Sequence, residues 1–233
     1  MVPNTTCCGN WDVKKFHNIV FKLTKKLVRI PPRMPTTTKQ ELLKLLRNNS
    51  LKRGEFILSS GAKSDIYFDC KLTTLDSYGI WKVGEVMLDM IRRSAMDRGV
   101  TIDSVGGLTL GADSIAQAVG MLSVKNGTAI QFFSVRKTPK SHGRIKLIEG
   151  SFKPGDTVVI IDDVITKGES TISAINAVKN EGGKIAFVAV LVDREEGGSD
   201  RIKSLGYEVV HSFTKSELIE RKSGETAATC PVA

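Results

Sequence analysis

VVIIDDVITKGES, residues 158–170, sets four β-branched apolar residues directly before two carboxylates. Val158 to Ile161 have the pattern of a strand buried on both faces, as in a parallel sheet. Asp162 and Asp163 stand where that strand is expected to run out. A turn from Ile165 to Glu169 then leads into a helical pattern with Ile172, Ile175 and Val178 on one face. In open α/β sheets, ligands bind beyond the carboxyl ends of the strands. There the backbone N–H groups of a turn and a helix N-terminus attract phosphate, while paired carboxylates accept hydrogen bonds from vicinal ribose hydroxyls. Gly168 lets the backbone approach a phosphate closely, and Thr166 and Ser170 add hydroxyl donors. These residues predict a sugar-phosphate site. The competing reading is an ordinary βα turn carrying two solvated aspartates.

Downstream, Gly182 and Gly183 stop the helix, and Lys184 to Val192 make a strongly apolar strand that ends at Asp193, Arg194, Glu195, Glu196, Gly197 and Gly198. Glu208 to Phe213 predict a last strand. Thr214 and Glu217 have capping-box spacing for a last helix, and residues 223–233 form a tail. Upstream, the run RKTPKSHGRIKLIEG, residues 136–150, sets six basic residues, His142 among them when protonated, against one Glu149. Gly143 and Gly150 are expected hinge points. From composition alone this run reads as an exposed, solvated loop. Gln131 to Val135 predict a strand. GGLTLGADSIAQAVG, residues 106–120, leads from a strand into a helix, with Gly106, Gly107 and Gly111 suited to close approach of an anion. Ser77 to Arg98 predict a long helix closed by Gly99. FILSSGAKSDIYFD, residues 56–69, reads as two short strands, Glu55 to Leu58 and Ile66 to Asp69, with Gly54 ending the region before them. Thr38 and Glu41 again have capping-box spacing, ahead of Leu42, Leu45 and Leu46.

With 233 residues, 41% hydrophobic and 25% charged, the chain has the size and composition of one soluble globular domain. No apolar run approaches the ~18 residues of a membrane-spanning helix. Cys7, Cys8, Cys70 and Cys230 have neither disulfide-framework nor zinc spacing, which points to a reducing cytoplasm. The net charge of +9 is uneven: residues 1–33 carry seven Lys and Arg against Asp12, a net +6, leaving +3 for the rest. A mildly basic body with its excess in one loop argues against nucleic acid as a partner. Val13, Phe16, Val20, Leu23, Leu27 and Ile30 give the first segment a basic amphipathic pattern that Pro31 and Pro32 break. A presequence, a helix touching membrane or partner, and an extension outside the fold all fit that pattern; the extension is preferred. Helix and strand alternate from Leu42 to Leu218, so the expected fold is a single α/β domain with a mostly parallel sheet covered on both faces.

Four segments together, FILSSGAKSDIYFD, GGLTLGAD, RKTPKSHG and IIDDVITKGES, resemble in residues and order the orotate phosphoribosyltransferase family of type I phosphoribosyltransferases. The resemblance spans about Met34 to Lys222, and RKTPKSHG is its most specific part. It implies a type I phosphoribosyltransferase domain over residues 34–222 with a small base-binding hood. It also implies transfer of the ribose phosphate of 5-phosphoribosyl-1-pyrophosphate (PRPP) to orotate. In that family the acidic pair, here Asp162 and Asp163, holds the ribose hydroxyls. The following turn, here Thr166, Lys167, Gly168, Glu169 and Ser170, holds the 5-phosphate. Lys167 and Glu169 replace residues that are more often small or uncharged. Tyr67 and Phe68 match aromatics at the pyrimidine, and alternation along a strand sends them to opposite faces, so at least one is a core residue. Arg194 matches an arginine facing the orotate carboxylate; a surface Asp193–Arg194 pair is the competing reading. Thr166 also belongs to the implied orotate site. Some relatives carry lysines where this chain has Ser59 and Leu110.

The resemblance makes 136–150 a mobile catalytic loop whose cations stabilise the departing pyrophosphate. It implies a homodimer in which Arg136, Lys140 and His142 reach the neighbour's site and Lys137 serves its own. Magnesium is implied on substrate oxygens, with no direct protein ligand. A phosphoribosyltransferase for a purine or uracil, and a non-catalytic PRPP-sensing regulator, are the alternatives. The first gives no reason for the basic loop and DREEGG together, and the second would lose the loop.

Overall fold

The structure is a computed structural model that describes residues 35–57, 63–138 and 147–220. Residues 1–33 and the tail from 223 lie outside the described residues, as do Ser59, Lys140, His142 and Gly143.

Helix α1 (Thr36–Leu45) widens into a π-helical turn over Leu46–Ser50 and enters a hairpin, β1 (Leu51–Ile57) and β2 (Lys63–Phe68). Then come a single turn α2 (Lys71–Thr74), the long α3 (Ser77–Asp97), β3 (Ser104–Leu108), α4 (Gly111–Lys125), β4 (Gln131–Val135) and β5 (Ile148–Gly150). The chain continues through β6 (Thr157–Ile165), α5 (Glu169–Asn180), β7 (Lys184–Asp193), α6 (Gly198–Ser204), β8 (Val209–Thr214) and α7 (Lys215–Ile219). The main sheet has the order β5-β4-β3-β6-β7-β8, parallel except for β5, which runs antiparallel to β4. The β1–β2 hairpin is a separate antiparallel sheet.

Strand β6 is buried on both faces, and its period of two divides the core. Val159 and Ile161 join a cluster with Leu42, Val83, Met87, Ile91 and Ile115. Val158 and Ile160 join another with Ala174, Ile175, Val178 and Ile202. Both faces of the sheet are thus covered by helices, which explains a strand with no polar alternation before Asp162. The order of the strands reverses between β3 and β6. From β3 the chain passes through α4 to β4 on one side; from β6 it passes through α5 to β7 on the other. This is the topological switch point at which doubly wound sheets open a crevice.

Several local expectations need correction. Strand β6 does not stop at Asp162: its pairing with β7 continues to Ile165 opposite Asp193, because β7 is long enough to supply partners. Helix α1 begins two residues before Thr38, with Pro35 as its N-cap and no side-chain cap; Glu41 instead pairs with Lys82 of α3 at 2.9 Å. Gly54 does not end the region before the hairpin but lies inside β1, at a bulge between Arg53 and Phe56. Gly150 is no hinge. It is paired with Phe133 in β5, and a Cβ there would come within 2.8 Å of the Phe132 carbonyl oxygen. The capping box at Thr214 and Glu217 is made with both its hydrogen bonds. Among the described residues, no helix is long and apolar enough to cross a membrane.

Candidate active site

Strand β3 pairs with β6 only from Ser104 to Gly106, opposite Val158 to Ile160. Beyond Ile160, β6 keeps β7 on one edge and loses β3 from the other. Asp162 and Asp163 stand on that continuation, beside the turn from β3 into α4. The glycines of this turn serve packing more than anion contact. A Cβ on Gly106 would lie 2.2 Å from the Phe133 carbonyl oxygen, and one on Gly107 would lie 2.0 Å from that of Ile161. Gly111, the first residue of α4, lies against the Asp163 carboxylate, where a Cβ would be 2.3 Å from Oδ1. Thr109, half-buried, and Leu110, exposed, are joined by a cis peptide and complete the turn. Asp113 fixes that turn from below: its carboxylate accepts hydrogen bonds from the Thr109 and Ser134 hydroxyls, each at 2.6 Å.

The two carboxylates are buried. Asp162 accepts from the Thr171 hydroxyl at 2.6 Å and from the Asp163 N–H at 3.1 Å, while Asp163 accepts from the Val164 N–H at 2.9 Å. Burial raises the pKa of Asp162 to about 7, with the neighbouring Asp163 adding to the rise and the Thr171 bond opposing it. Burial raises Asp163 as well, and the nearby Lys71 ammonium opposes that shift. Two adjacent buried carboxyls cannot both ionise cheaply. A ligand that donates hydroxyl hydrogens to them supplies what the protein withholds.

Gly168 adopts φ 78° at the start of α5, a left-handed conformation suited to glycine. The turn from Thr166 to Ser170 therefore presents the N-terminus of α5 at the end of β6. The Glu169 carboxylate lies 3.9 Å from the Arg201 guanidinium of α6, and Arg201 also donates to the Lys167 carbonyl at 3.2 Å. Lys167 and Ser170 are exposed.

At the end of β7, Arg194 pairs with Glu196 at 2.9 Å. Asp193 is occupied elsewhere, accepting from the Glu195 N–H and the Ser199 hydroxyl, so no Asp193–Arg194 pair forms. Arg194 shares a narrow cleft with Phe68, Leu51, Val192, Lys215 and Leu218. Tyr67, on the opposite face of β2, is more exposed and packs on Phe56 with ring centroids 5.4 Å apart. Arg136 and Lys137 lie at the stem of the basic loop. The Arg136 N–H donates to the Leu147 carbonyl at 2.8 Å, and its guanidinium is 3.8 Å from Glu149. The structure thus gathers Asp162, Asp163 and the 166–170 turn around the end of β6, and Arg194 with Phe68 at the end of β7. Arg136 and Lys137 stand apart on the sheet's outer side.

Sequence patterns did not single out Lys71, Asp113, Thr171 or Lys215. Lys71 and Lys215 sit on helices too short to show a period, and Thr171 and Asp113 look like ordinary helix-start residues. Among the described residues, no group of three or more His, Cys, Asp or Glu is placed to hold a metal ion.

A family model described as the phosphoribosyl transferase domain matches residues 105–211, which include the switch point and both aspartates. The orotate phosphoribosyltransferase of Rhodopirellula baltica is 38% identical over 168 residues, covering 72% of this chain and 87% of that one. That of Tropheryma whipplei is 36% identical over 214 residues, covering 92% and 93%. Among solved structures, Mycobacterium tuberculosis orotate phosphoribosyltransferase in complex with PRPP matches with a TM-score of 0.64 and 32% identity, covering 78% of this chain and 98% of that one.

Proposed function

The chain belongs to the orotate phosphoribosyltransferase family, and we propose from that premise how its site carries out the reaction. The enzyme is a pentosyltransferase of the type I phosphoribosyltransferase fold. It joins orotate to PRPP, giving orotidine 5′-monophosphate and pyrophosphate, a step of pyrimidine synthesis. The observation that carries the assignment of roles is the pair Asp162–Asp163, buried at the switch point with the N-termini of α4 and α5 on either side.

Asp162 and Asp163 accept the ribose hydroxyls. Thr166, Lys167, Gly168, Glu169 and Ser170 form the cradle for the 5-phosphate, through backbone N–H groups and the two hydroxyls. The Glu169 carboxylate is drawn toward Arg201, which lessens its conflict with the phosphate. Arg194 faces the orotate carboxylate, with Phe68 against the ring and Tyr67 and Thr166 completing the base site. Arg136, Lys137, Lys140 and His142 cover the pyrophosphate and stabilise its charge as the glycosidic bond breaks. Catalysis is then chiefly positioning and electrostatics around a ribosyl cation.

Magnesium would suit this site as a hard cation held by the substrate's own oxygens, with Asp162 and Asp163 left to accept from the substrate hydroxyls. When bound it supplies neutralisation of pyrophosphate charge. The working protein is a cytoplasmic homodimer that shares loop 136–150 across its interface. Residues 34–222 are the catalytic domain, and residues 1–33 are an extension dispensable for turnover.

The test is PRPP consumption by the full chain with orotate, uracil or hypoxanthine as acceptor. Orotate is expected to support turnover while the other two do not. Equal turnover with uracil or hypoxanthine, or no turnover with any base, overturns the reading.

A further inference from the structure

We propose that Lys71 is a further catalytic residue, whose ammonium binds the pyrophosphate of PRPP and holds its growing charge as the group departs. This rests on the reading of the site given above.

The path of the chain from β2 to α2 places it there. That segment crosses the carboxyl ends of the main sheet in order. Phe68 shares the cleft of Val192 and Arg194 at the end of β7. Two residues on, the buried Cys70 directs its thiol at the Asp163 carbonyl oxygen of β6, at 3.8 Å. Beyond that, α2 packs against α4, and Thr74 and Leu75 face Ser114 and Gln117 across a shared groove. Lys71 thus lies between the β6 contact and the α4 contact, on the side where the β3–α4 turn presents Thr109, Leu110 and the first N–H groups of α4. In the assigned site the base lies at the end of β7 and the ribose at the end of β6. The base joins C1 from the face opposite the departing pyrophosphate, which therefore falls on the far side of β6, toward the β3–α4 turn.

The charges agree with this placement. Lys71 is the foremost charge acting on the Asp163 carboxyl, and the Asp163 charge in turn favours the ammonium form of Lys71. Its Nζ is 3.0 Å from Asp69 Oδ1, on a side chain about half exposed. One of three ammonium donors is therefore engaged, and two are open to a ligand. The β3–α4 turn itself offers no cation: Leu110 is 58% exposed and the only charged side chain near it in the turn, Asp113, is negative and held by Thr109 and Ser134. A pyrophosphate at this turn needs a positive partner, and the Lys71 charge acts on the same Asp163 carboxyl that Gly111 of the turn touches.

The bond changes balance without a proton on Lys71. The C1–O bond of PRPP breaks with its electron pair going to the pyrophosphate oxygen. Orotate N1 supplies the pair for the new C1–N1 bond, and the proton it gives up leaves with pyrophosphate. Lys71 stays an ammonium throughout and stabilises the oxygen that gains charge.

Titration calorimetry on the full chain tests this with inorganic pyrophosphate, PRPP and ribose 5-phosphate. Lys71→Ala is expected to weaken pyrophosphate and PRPP by about tenfold or more and to leave ribose 5-phosphate within about twofold. Lys71→Arg should restore most of the loss, and kcat should fall in Lys71→Ala along with PRPP affinity. Lys71→Met keeps the apolar stem and provides the same reading if the alanine variant does not fold. Pyrophosphate and PRPP affinities unchanged in a folded variant would overturn the proposal. So would an equal loss for ribose 5-phosphate, which would mean that Lys71 acts through Asp163. If the wild-type chain binds pyrophosphate through Lys71 but consumes no PRPP with orotate, the assigned reaction fails and the pyrophosphate site stands.

Discussion

The first backbone atoms of α4 at Gly111 touch the Asp163 carboxylate so closely that a methyl group has no room, its carbon falling 2.3 Å from Oδ1. Helix α4 and strand β6 are thereby held in one register around the carboxyl proposed to meet ribose. Gly111→Ala must displace either the carboxylate, which the Val164 N–H holds, or the helix start. The expected outcome is a fall of about tenfold to a hundredfold in kcat/KM for PRPP, with a stability loss of roughly 1–3 kcal/mol. Steady-state kinetics and urea unfolding check it. A variant with unchanged kinetics would show that the contact has no part in shaping the site.

Asp162 gives the protein a pH signature. Folding raises its pKa from the ordinary 3.8 to about 7, mainly through burial. In that window the folded chain binds a proton that the unfolded chain has released. Stability from this source is therefore complete below the lower value and is lost as pH rises through the higher one. Asp162→Asn should remove the loss. The variant is expected to be more stable than wild type by roughly 1–3 kcal/mol at about pH 8, with the gain fading toward about pH 4. Binding runs the other way: PRPP hydroxyls favour the ionised pair, so wild-type PRPP affinity should rise through about pH 7 and the variant should be weak and flat. Unfolding curves and PRPP titrations at matched pH values measure both, and parallel pH profiles for the two proteins would refute the account.

Arg194 should separate the two substrates. Arg194 lines the Phe68 cleft, and Glu196 holds its guanidinium at 2.9 Å. Arg194→Ala is expected to cost roughly 1.5–3 kcal/mol in orotate binding and to leave PRPP nearly unchanged. Arg194→Lys should recover little, since an ammonium cannot make the paired contact to a carboxylate. Equal losses for orotate and PRPP would return Arg194 to a purely structural role.

The central βα unit was legible because its signals are local. Val158–Ile161 is apolar on both faces for the plain reason that helices cover both, and Gly168 marks the one backbone position that needs a left-handed φ. What local pattern missed was set by neighbours. Asp162 and Asp163 read as a strand end, yet the length of β7 carries the pairing past them to Ile165. Gly106 and Gly107 suit an anion loop by local pattern, but that pattern does not show that their missing side chains also let Phe133 and Ile161 approach. Thr38 had cap spacing, but its side chain is buried one turn inside α1. Lys71 could not be found by period at all, because α2 is a single turn whose position follows from the hairpin before it and α4 beside it.

The basic loop is rooted at the sheet's outer side, where the Arg136 N–H meets the Leu147 carbonyl and β5 returns along β4. Strand β3 separates that stem from β6, a distance of about 10 Å at the usual strand spacing. A loop leaving and returning at one point on that side has the length to reach its own site or a partner's, so reach alone does not choose. The proposed homodimer chooses the partner's, and mixing two disabled proteins decides it. One carries Lys140→Ala and the other Asp162→Asn with Asp163→Asn, each expected to be nearly inactive alone. In a mixed dimer the first subunit has an intact ribose site and the second an intact loop. If the loop serves the neighbour, one of the two sites is complete, and activity should rise toward about a quarter of wild type when the proteins exchange subunits freely. If it serves its own subunit, every site keeps one defect and the mixture stays inactive. Sedimentation of the fully active protein as a monomer would dispose of the shared loop altogether.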